Sequence, residues 1–202
     1  MVPGAILASG RSRRMGRSKA LLPAGPNGPT FVRHLADVLR SGGITDVLIV
    51  GRPDDAALRA EVATLGDDVR FIENHEADDG QISSIVAAVN VVDRPGVQGL
   101  LAVPVDQPLV TSATVSALLE GYAHARPPIA RATFGGRHGH PVVFGPAVFG
   151  ELRRADRHVG ARMVVHAHAD AILEVDVPDE GVVTDVDDPE EYARVFGVPL
   201  PD

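Results

Sequence analysis

Two adjoining pieces near the start of the chain decide the architecture: Gly4-Ala-Ile-Leu-Ala8, and the run that follows, Ser9-Gly-Arg-Ser-Arg-Arg-Met-Gly-Arg-Ser-Lys19-Ala-Leu-Leu-Pro23. The first is short, apolar and uninterrupted, which suits a strand covered on both faces. The second opens a connection from Ser9 to Pro29, longer than the roughly 12–15 residues beyond which loops are usually functional. It carries Arg11, Arg13, Arg14, Arg17 and Lys19, five of the chain's 19 Lys and Arg residues. Gly10 and Gly16 let the backbone turn and bring its N–H groups close to an anion. The spacing is neither the Gly-x4-Gly-Lys-Ser/Thr phosphate loop nor the Gly-x-Gly-x-x-Gly dinucleotide fingerprint.

Outward from this loop the pattern alternates. Phe31, Leu35, Val38 and Leu39 recur at helical spacing until Ser41-Gly42-Gly43 stops them. Asp46–Val50 reads as a strand, Asp54–Leu65 as a helix, Val69–Ile72 as a strand and Gln81–Val92 as a helix. Gly99–Val105 reads as a central strand despite Pro104. A helix follows, with Ser112 as its cap and Val115, Leu118, Leu119 and Tyr122 on one face. This β-α repetition predicts an α/β fold, a mostly parallel central sheet with helices on both sides. Beyond Pro128 the pattern loosens. Strands are expected at Ile129–Phe134, Pro141–Phe144 and Ala171–Val175, and helices near Pro146–Arg154, Gly160–His168 and Pro189–Phe196. With no repeat, linker or low-complexity tract, residues 1–202 are expected to form one domain.

The chain has 202 residues and a net charge of −8, with no Cys. The missing thiols exclude disulfides, thiolate metal sites and Cys nucleophiles. The acidic balance argues against coating nucleic acid. No apolar run reaches the ~20 residues that span a bilayer. The N-terminal apolar piece precedes its charges, the reverse of a secretory signal, so a cytoplasmic location and no membrane partner are expected.

In open α/β sheets ligands bind beyond the carboxyl ends of the strands. Asp106, just past the Gly99–Val105 strand, is well placed there to hold a divalent cation, or simply to bond its own turn. Gly80 opens a helix, and Ser83 and Ser84 offer hydroxyls near its positive end, as ligands or as ordinary capping groups. In Thr184-Asp-Val-Asp-Asp-Pro-Glu-Glu191, Asp188 reads as an N-cap with Pro189 at the first helical position and Glu191 completing a capping box. His140, within Gly139-His-Pro-Val142, could bond or protonate a substrate group, or hold a turn. Arg137 and His138 beside it could help hold an anion. His166 and His168 fall in a helix-like piece, where residues two apart do not share a face. His34, His124 and His158 read as surface positions.

Leu7-Ala-Ser-Gly10 with Arg14-Met-Gly16, Lys19 and Leu21-Leu-Pro23 resembles the signature of the MobA-like nucleotidyltransferases, closest to the molybdenum cofactor cytidylyltransferase branch. Ser9 departs from it, standing where the family has a second Ala or Gly. The resemblance extends through Asn74–Ile85, Val103–Pro108, Gly139–Val142 and Thr184–Glu191. It implies a three-layer Rossmann-like fold and a Mg²⁺-dependent transfer of a nucleoside monophosphate, with release of pyrophosphate. Leu7, Ala8, Ser9 and Gly10 would read the base through the backbone. Asn74, Gly80, Ser83 and Ser84 would contact base and ribose, and Arg14 and Lys19 the phosphates. By the same match Asp106 and Asp187 bind Mg²⁺, with Asp185 the alternative second ligand, and His140 lies beside the acceptor. A compact slot at Leu7–Gly10 favours a pyrimidine, hence CTP. The implied acceptor is a phosphorylated small molecule such as molybdopterin cofactor, and a molybdoenzyme could receive the product. Rival readings are the same chemistry on a sugar or polyol phosphate, a nicotine blue oxidoreductase-like reductase, and a non-catalytic cofactor chaperone.

Overall fold

The computed structural model describes residues 1–201. One seven-stranded sheet organises it, in the order β3-β2-β1-β4-β6-β5-β7. The strands are β1 (Gly4–Leu7), β2 (Val47–Gly51), β3 (Val69–Glu73), β4 (Leu100–Pro104), β5 (Ile129–Phe134), β6 (Arg137–Phe144) and β7 (Ile172–Asp176). All neighbouring pairs are parallel except the two made by β6, which runs antiparallel to β4 and β5.

The helices are α1 (Phe31–Ser41), α2 (Ala56–Val62), α3 (Gln81–Val92), α4 (Ser112–Ala125), α5 (Pro146–Arg154), α6 (Arg162–Ala167) and α7 (Pro189–Phe196). Successive strand side chains alternate between two cores. Ile6, Val47, Ile49, Leu101 and Val103 join α1, α2, α4 and α7 on one face. Ala5, Leu7, Leu48, Val50, Leu100 and Ala102 join α3, α5 and α6 on the other. Because both faces are covered, β1, β2 and β4 must be apolar at every position, which is why they read as unbroken runs.

The largest departure from the sequence reading is β6. It begins at Arg137, four residues before the expected Pro141, after a tight turn at Gly135 (φ 56°) and Gly136 (φ 76°). Two successive positive φ values are the geometry of a two-residue hairpin, open to glycine at no steric cost. The polar start of β6 is held by its partner strand, Thr133 pairing with His138 and Phe134 with Arg137. Other differences are at boundaries. Thr111, not Ser112, caps α4, its hydroxyl accepting from the Thr114 amide. Asp55 caps a shorter α2, and α6 is trimmed to Arg162–Ala167. Pro104 is tolerated at the end of β4 because the amides facing β1 fall at odd positions, Leu101 donating to the Pro3 carbonyl and Val105 to that of Leu7, while pairing to β6 ends at Ala102. Its missing N–H therefore has no rung to break.

The C-terminal segment closes back over the start of the chain. Tyr192 stacks on Phe31 (6.3 Å between centroids) and meets Phe196 at a tilt (4.8 Å), contacts worth about 0.5–1.5 kcal/mol each beyond their buried area. Its hydroxyl donates to the Pro23 carbonyl at 2.9 Å, so α7 is tied to the end of the basic loop.

Candidate active site

Asp106 follows the last rung of the sheet centre, where the Val105 amide donates to the Leu7 carbonyl at 3.1 Å. The Asp106 carbonyl then accepts from the Val186 amide at 2.7 Å, and Val186 is fully buried. That single bond brings Asp185 and Asp187, one on each side of Val186, to flank Asp106. The backbone of Asp187 is fixed further by its N–H, which donates to Glu191 at 2.6 Å, while Asp188 caps α7 by accepting from the Glu191 amide at 2.9 Å. Glu191 thus reaches one residue beyond the N-cap, a shift from the simple capping box expected.

The basic loop arrives from the other side. Gly16, at φ 74°, turns it so that its N–H bonds the Ser12 carbonyl, and the Lys19 amide bonds the Ser12 hydroxyl at 3.1 Å. Lys19, only 8% exposed, places its ammonium between two carboxylates, donating to Asp106 at 3.3 Å and also to Asp187. Arg14 donates to the second oxygen of Asp187 at 2.7 Å. Burial pushes the Asp106 carboxyl above its ordinary value, against the pull of Lys19 and with some help from Asp185. Burial also acts upward on Asp187, but hydrogen bonds from Lys19 and Arg14 outweigh it, and the net shift is downward.

Asp106 is the common wall of two cavities. One, of about 200 Å³, is lined by Leu7, Ala8, Gly10, Arg14, Lys19 and Asp187. A side chain at Gly10 would point into open space, so its glycine leaves the mouth of this cavity clear. The other, of about 310 Å³, is lined by Gln107, Arg137, His140 and Asp185. The two late aspartates, two residues apart, therefore serve different cavities. Burial lowers the proton affinity of His140, and the charge of Asp185 partly offsets this.

The residues expected around the base and ribose also come together. Ser9, Asn74, Ser83 and Ser84 are all buried. The Asn74 amide donates to Ser83 (2.8 Å) and Ser84 (3.0 Å), and its oxygen accepts from the Glu76 amide at 3.0 Å. Ser83 donates to the Gly80 carbonyl at 2.7 Å, and Ser9 to the Val50 carbonyl at 3.1 Å. These side chains bond one another and the backbone. They pin the ends of β1, β2 and α3 around Gly80, whose φ of 80° suits glycine.

Three participants are not singled out in the sequence: Arg52 lies outside every motif, and Asp78 and Gln107 lie inside matched segments without a role of their own. Arg52 donates to the Ser9 carbonyl at 3.0 Å and, with Arg11, clamps Asp78. These hydrogen bonds hold the Asp78 carboxyl far below the usual carboxylate range. Gln107 is buried and donates to Asp185 at 2.8 Å, fixing one of its oxygens. Only Arg11, by its place in the basic loop, had a signal. Arg52, Asp78 and Gln107 depend on contacts across 26 to 78 residues of sequence.

Among the described residues no group of three or more His, Cys, Asp or Glu gathers at metal-holding distances. The Asp106–Asp187 pair fits a magnesium-like ion all the same. Such ions take one or two protein carboxylates and complete their shell with phosphate oxygens and water. The Lys19 ammonium between the two carboxylates shows that they converge on one positive charge.

Comparison with known proteins agrees with this geometry. Residues 4–172 match the family described as the MobA-like NTP transferase domain. Purine catabolism protein PucB of Bacillus subtilis is 29% identical over 95% of this chain and 94% of its own. A molybdenum cofactor guanylyltransferase of Xanthomonas euvesicatoria is 34% identical over 60% of this chain, a match spanning 55% of that protein's length. The crystal structure of Rv0371c from Mycobacterium tuberculosis superposes with a TM-score of 0.80 at 31% identity, covering 98% of this chain and 97% of that one. A structure of that protein in complex with manganese superposes at 0.75, with 27% identity and 98% of both chains covered. No helix among the described residues is long and apolar enough to cross a membrane. The chain belongs to the family of MobA-like NTP transferase domains.

Proposed function

We propose that the chain transfers a nucleoside monophosphate from a nucleoside triphosphate to a phosphorylated small molecule, with CTP as the preferred donor and Mg²⁺ as the cation. The observation that carries this reading is the convergence of Arg14, Lys19, Asp106 and Asp187 on one cavity beyond the carboxyl end of the sheet. The manganese complex of the mycobacterial relative supports a divalent cation. The small volume beside Leu7, Ala8 and Gly10 supports a pyrimidine. The guanylyltransferase relative makes GTP the natural rival donor.

In this reading the Ser9–Ser18 backbone, Arg14 and Lys19 hold the β- and γ-phosphates. An acceptor phosphate in the cavity of Arg137, His140 and Asp185 presents an oxygen to the α-phosphorus. The new P–O bond forms as the α–β bridging P–O bond breaks, and pyrophosphate leaves with that oxygen. A phosphate nucleophile is already anionic, so no general base is needed. Asp106 and Asp187 would hold the cation, which when bound neutralises charge building on the α-phosphate oxygens. His140, kept neutral near pH 7 by burial, would orient the acceptor by hydrogen bonding rather than as a charge. Molybdopterin cofactor is the acceptor the family likeness favours, with a molybdoenzyme receiving the product. Sugar and polyol phosphates are the competing class.

The test is pyrophosphate release from each of four nucleoside triphosphates with Mg²⁺ and a panel of phosphorylated acceptors. The reading expects turnover with CTP that Asp106→Asn abolishes. Equal turnover of CTP and GTP removes the donor preference, and full release by Asp106→Asn removes the catalytic reading.

A further inference from the structure

Beyond His140 lies a third cavity, of about 500 Å³, on the same face of the sheet as α3, α5 and α6. It shares His138, Gly139 and His140 with the 310 Å³ cavity next to Asp106. Val142 and Phe144 of β6 pack on the α3/α5/α6 side. The shared wall is the irregular stretch of β6 before them, where the register with β5 shifts between the Thr133–His138 and Arg131–Val142 pairs. Gly139 there faces Val182, whose carbonyl a Cβ would approach to 2.0 Å. The two cavities thus run end to end along β6, with the His140 side chain between them.

The far cavity has two kinds of surface. Its floor is apolar, from Ile129, Val142, Val165 and Ile172. Its rim is basic, from the guanidinium groups of Arg131 and Arg162 with the imidazole of His166 beside them. Arg131 is paired with Glu174 at 2.5 Å, and it still keeps a buried Nε–H with no acceptor. Arg162 and His166, four residues apart on α6, have no ion-pair partner among the described residues. In a chain of net charge −8, an unpaired arginine with an imidazole N–H donor beside it, over an apolar floor, leaves an anion's place unfilled.

We propose that the two cavities form one elongated site, whose far end takes an apolar ring or chain bearing an anionic group. The occupant's anion is held by Arg162 and His166, its apolar body lies against Val142 and Val165, and its reacting end passes His140 toward Asp106. Identifying the occupant as the acceptor rests on the transferase reading, whereas the ligand chemistry of the cavity does not. It narrows the acceptor to a molecule with a second negative charge distant from the reacting phosphate.

8-Anilinonaphthalene-1-sulfonate carries an aromatic body and one anion, and so probes this chemistry directly. The folded wild-type chain should bind it saturably, one per chain, with enhanced fluorescence that saturating Mg²⁺ and CTP do not displace. The double variant Arg162→Glu, His166→Glu should weaken binding about tenfold or more, as loss of charge-assisted contacts requires. Both residues are exposed, so an unchanged melting temperature confirms that the variant is folded. Binding equal to wild type in the folded variant overturns the proposal, and so does displacement of the probe by the nucleotide. Pyrophosphate release separates the two claims. If the probe behaves as expected but no acceptor supports release, the transferase reading fails and the site stands. If release occurs and the double variant leaves the acceptor KM unchanged, the elongated site fails and the transferase reading stands.

Discussion

Replacing Lys19 by methionine keeps the length of the side chain and removes the charge that joins Asp106 to Asp187. At 3.3 Å and an effective dielectric near 20, the Lys19–Asp106 attraction is about 5 kcal/mol before the cost of desolvation. That cost falls on all three groups, whose side chains are 9%, 30% and 26% exposed, and removes most of the attraction. Asp187 keeps a counterion in Arg14 at 2.7 Å. Asp106 does not, because Lys19 is the one side chain that hydrogen-bonds it among the described residues. The net loss is therefore that of one partly buried group left unpaired, about 1–3 kcal/mol at pH 7. A loss of about 2 kcal/mol lowers the melting temperature by about 4–8 °C in a chain of this size. The Asp106 carboxyl already sits above its ordinary value, and without Lys19 it rises further. An ionised carboxylate with a raised midpoint costs stability above that midpoint, so the defect should shrink as pH falls through it. If a divalent cation occupies the same position, Mg²⁺ should restore more stability to the variant than it adds to the wild type. Thermal melts with and without Mg²⁺ across pH read both effects. Equal stabilisation of the two proteins by Mg²⁺, or a defect that does not change with pH, refutes the shared position.

Three further outcomes follow from the geometry. Asn74→Ala strands the Glu76 amide and the Ser84 hydroxyl, while Ser83 keeps its bond to the Gly80 carbonyl, and should cost about 2 kcal/mol in denaturant unfolding, since buried unpaired polar groups cost about 1–3 kcal/mol; a loss below a few tenths would show that water replaces the network. His140, with its proton affinity lowered by burial, should titrate below 6.5 by NMR, and its share of stability should fall as pH drops below that value because the unfolded chain then binds the proton more readily; a midpoint above 6.5 would mean that Asp185 dominates. Gly139→Ala forces a Cβ against the Val182 carbonyl and should destabilise by about 1–3 kcal/mol, as overpacking does, which a shift in melting temperature would show and an unchanged melt would contradict.

The front of the molecule was legible because its physics is local. An apolar run needs two covered faces, and a basic stretch with glycines after it needs negative partners, which the structure supplies as Asp78, Asp106 and Asp187. Asp106 was legible for a related reason, since a carboxylate just past a central strand has one place to go. The reversal at β6 was harder to see. Its first residues, Arg137 to His140, are polar and partly exposed, and they are held as a strand by pairing with β5 rather than by their own pattern. The division of labour between Asp185 and Asp187 was beyond reach, because a spacing of two puts both on one side of an extended chain. What separates them is tertiary: the Val186 amide bonded to the Asp106 carbonyl, with Lys19 and Arg14 on one flank and Gln107 on the other. Gln107 has no sequence signal beyond its place after Asp106, and its role appears only when the C-terminal segment folds over it.

In the proposed reaction the basic loop and the two aspartates would hold one metal-bound triphosphate. Crystals grown with Mn²⁺ and a CTP analogue that cannot be cleaved between the α- and β-phosphates test it most directly, because manganese reveals its position by anomalous scattering. One anomalous peak is expected between the carboxylates of Asp106 and Asp187, with the β- and γ-phosphates against Arg14 and Lys19. A peak bound by neither aspartate, or a triphosphate seated away from the Gly10–Lys19 loop, would contradict it.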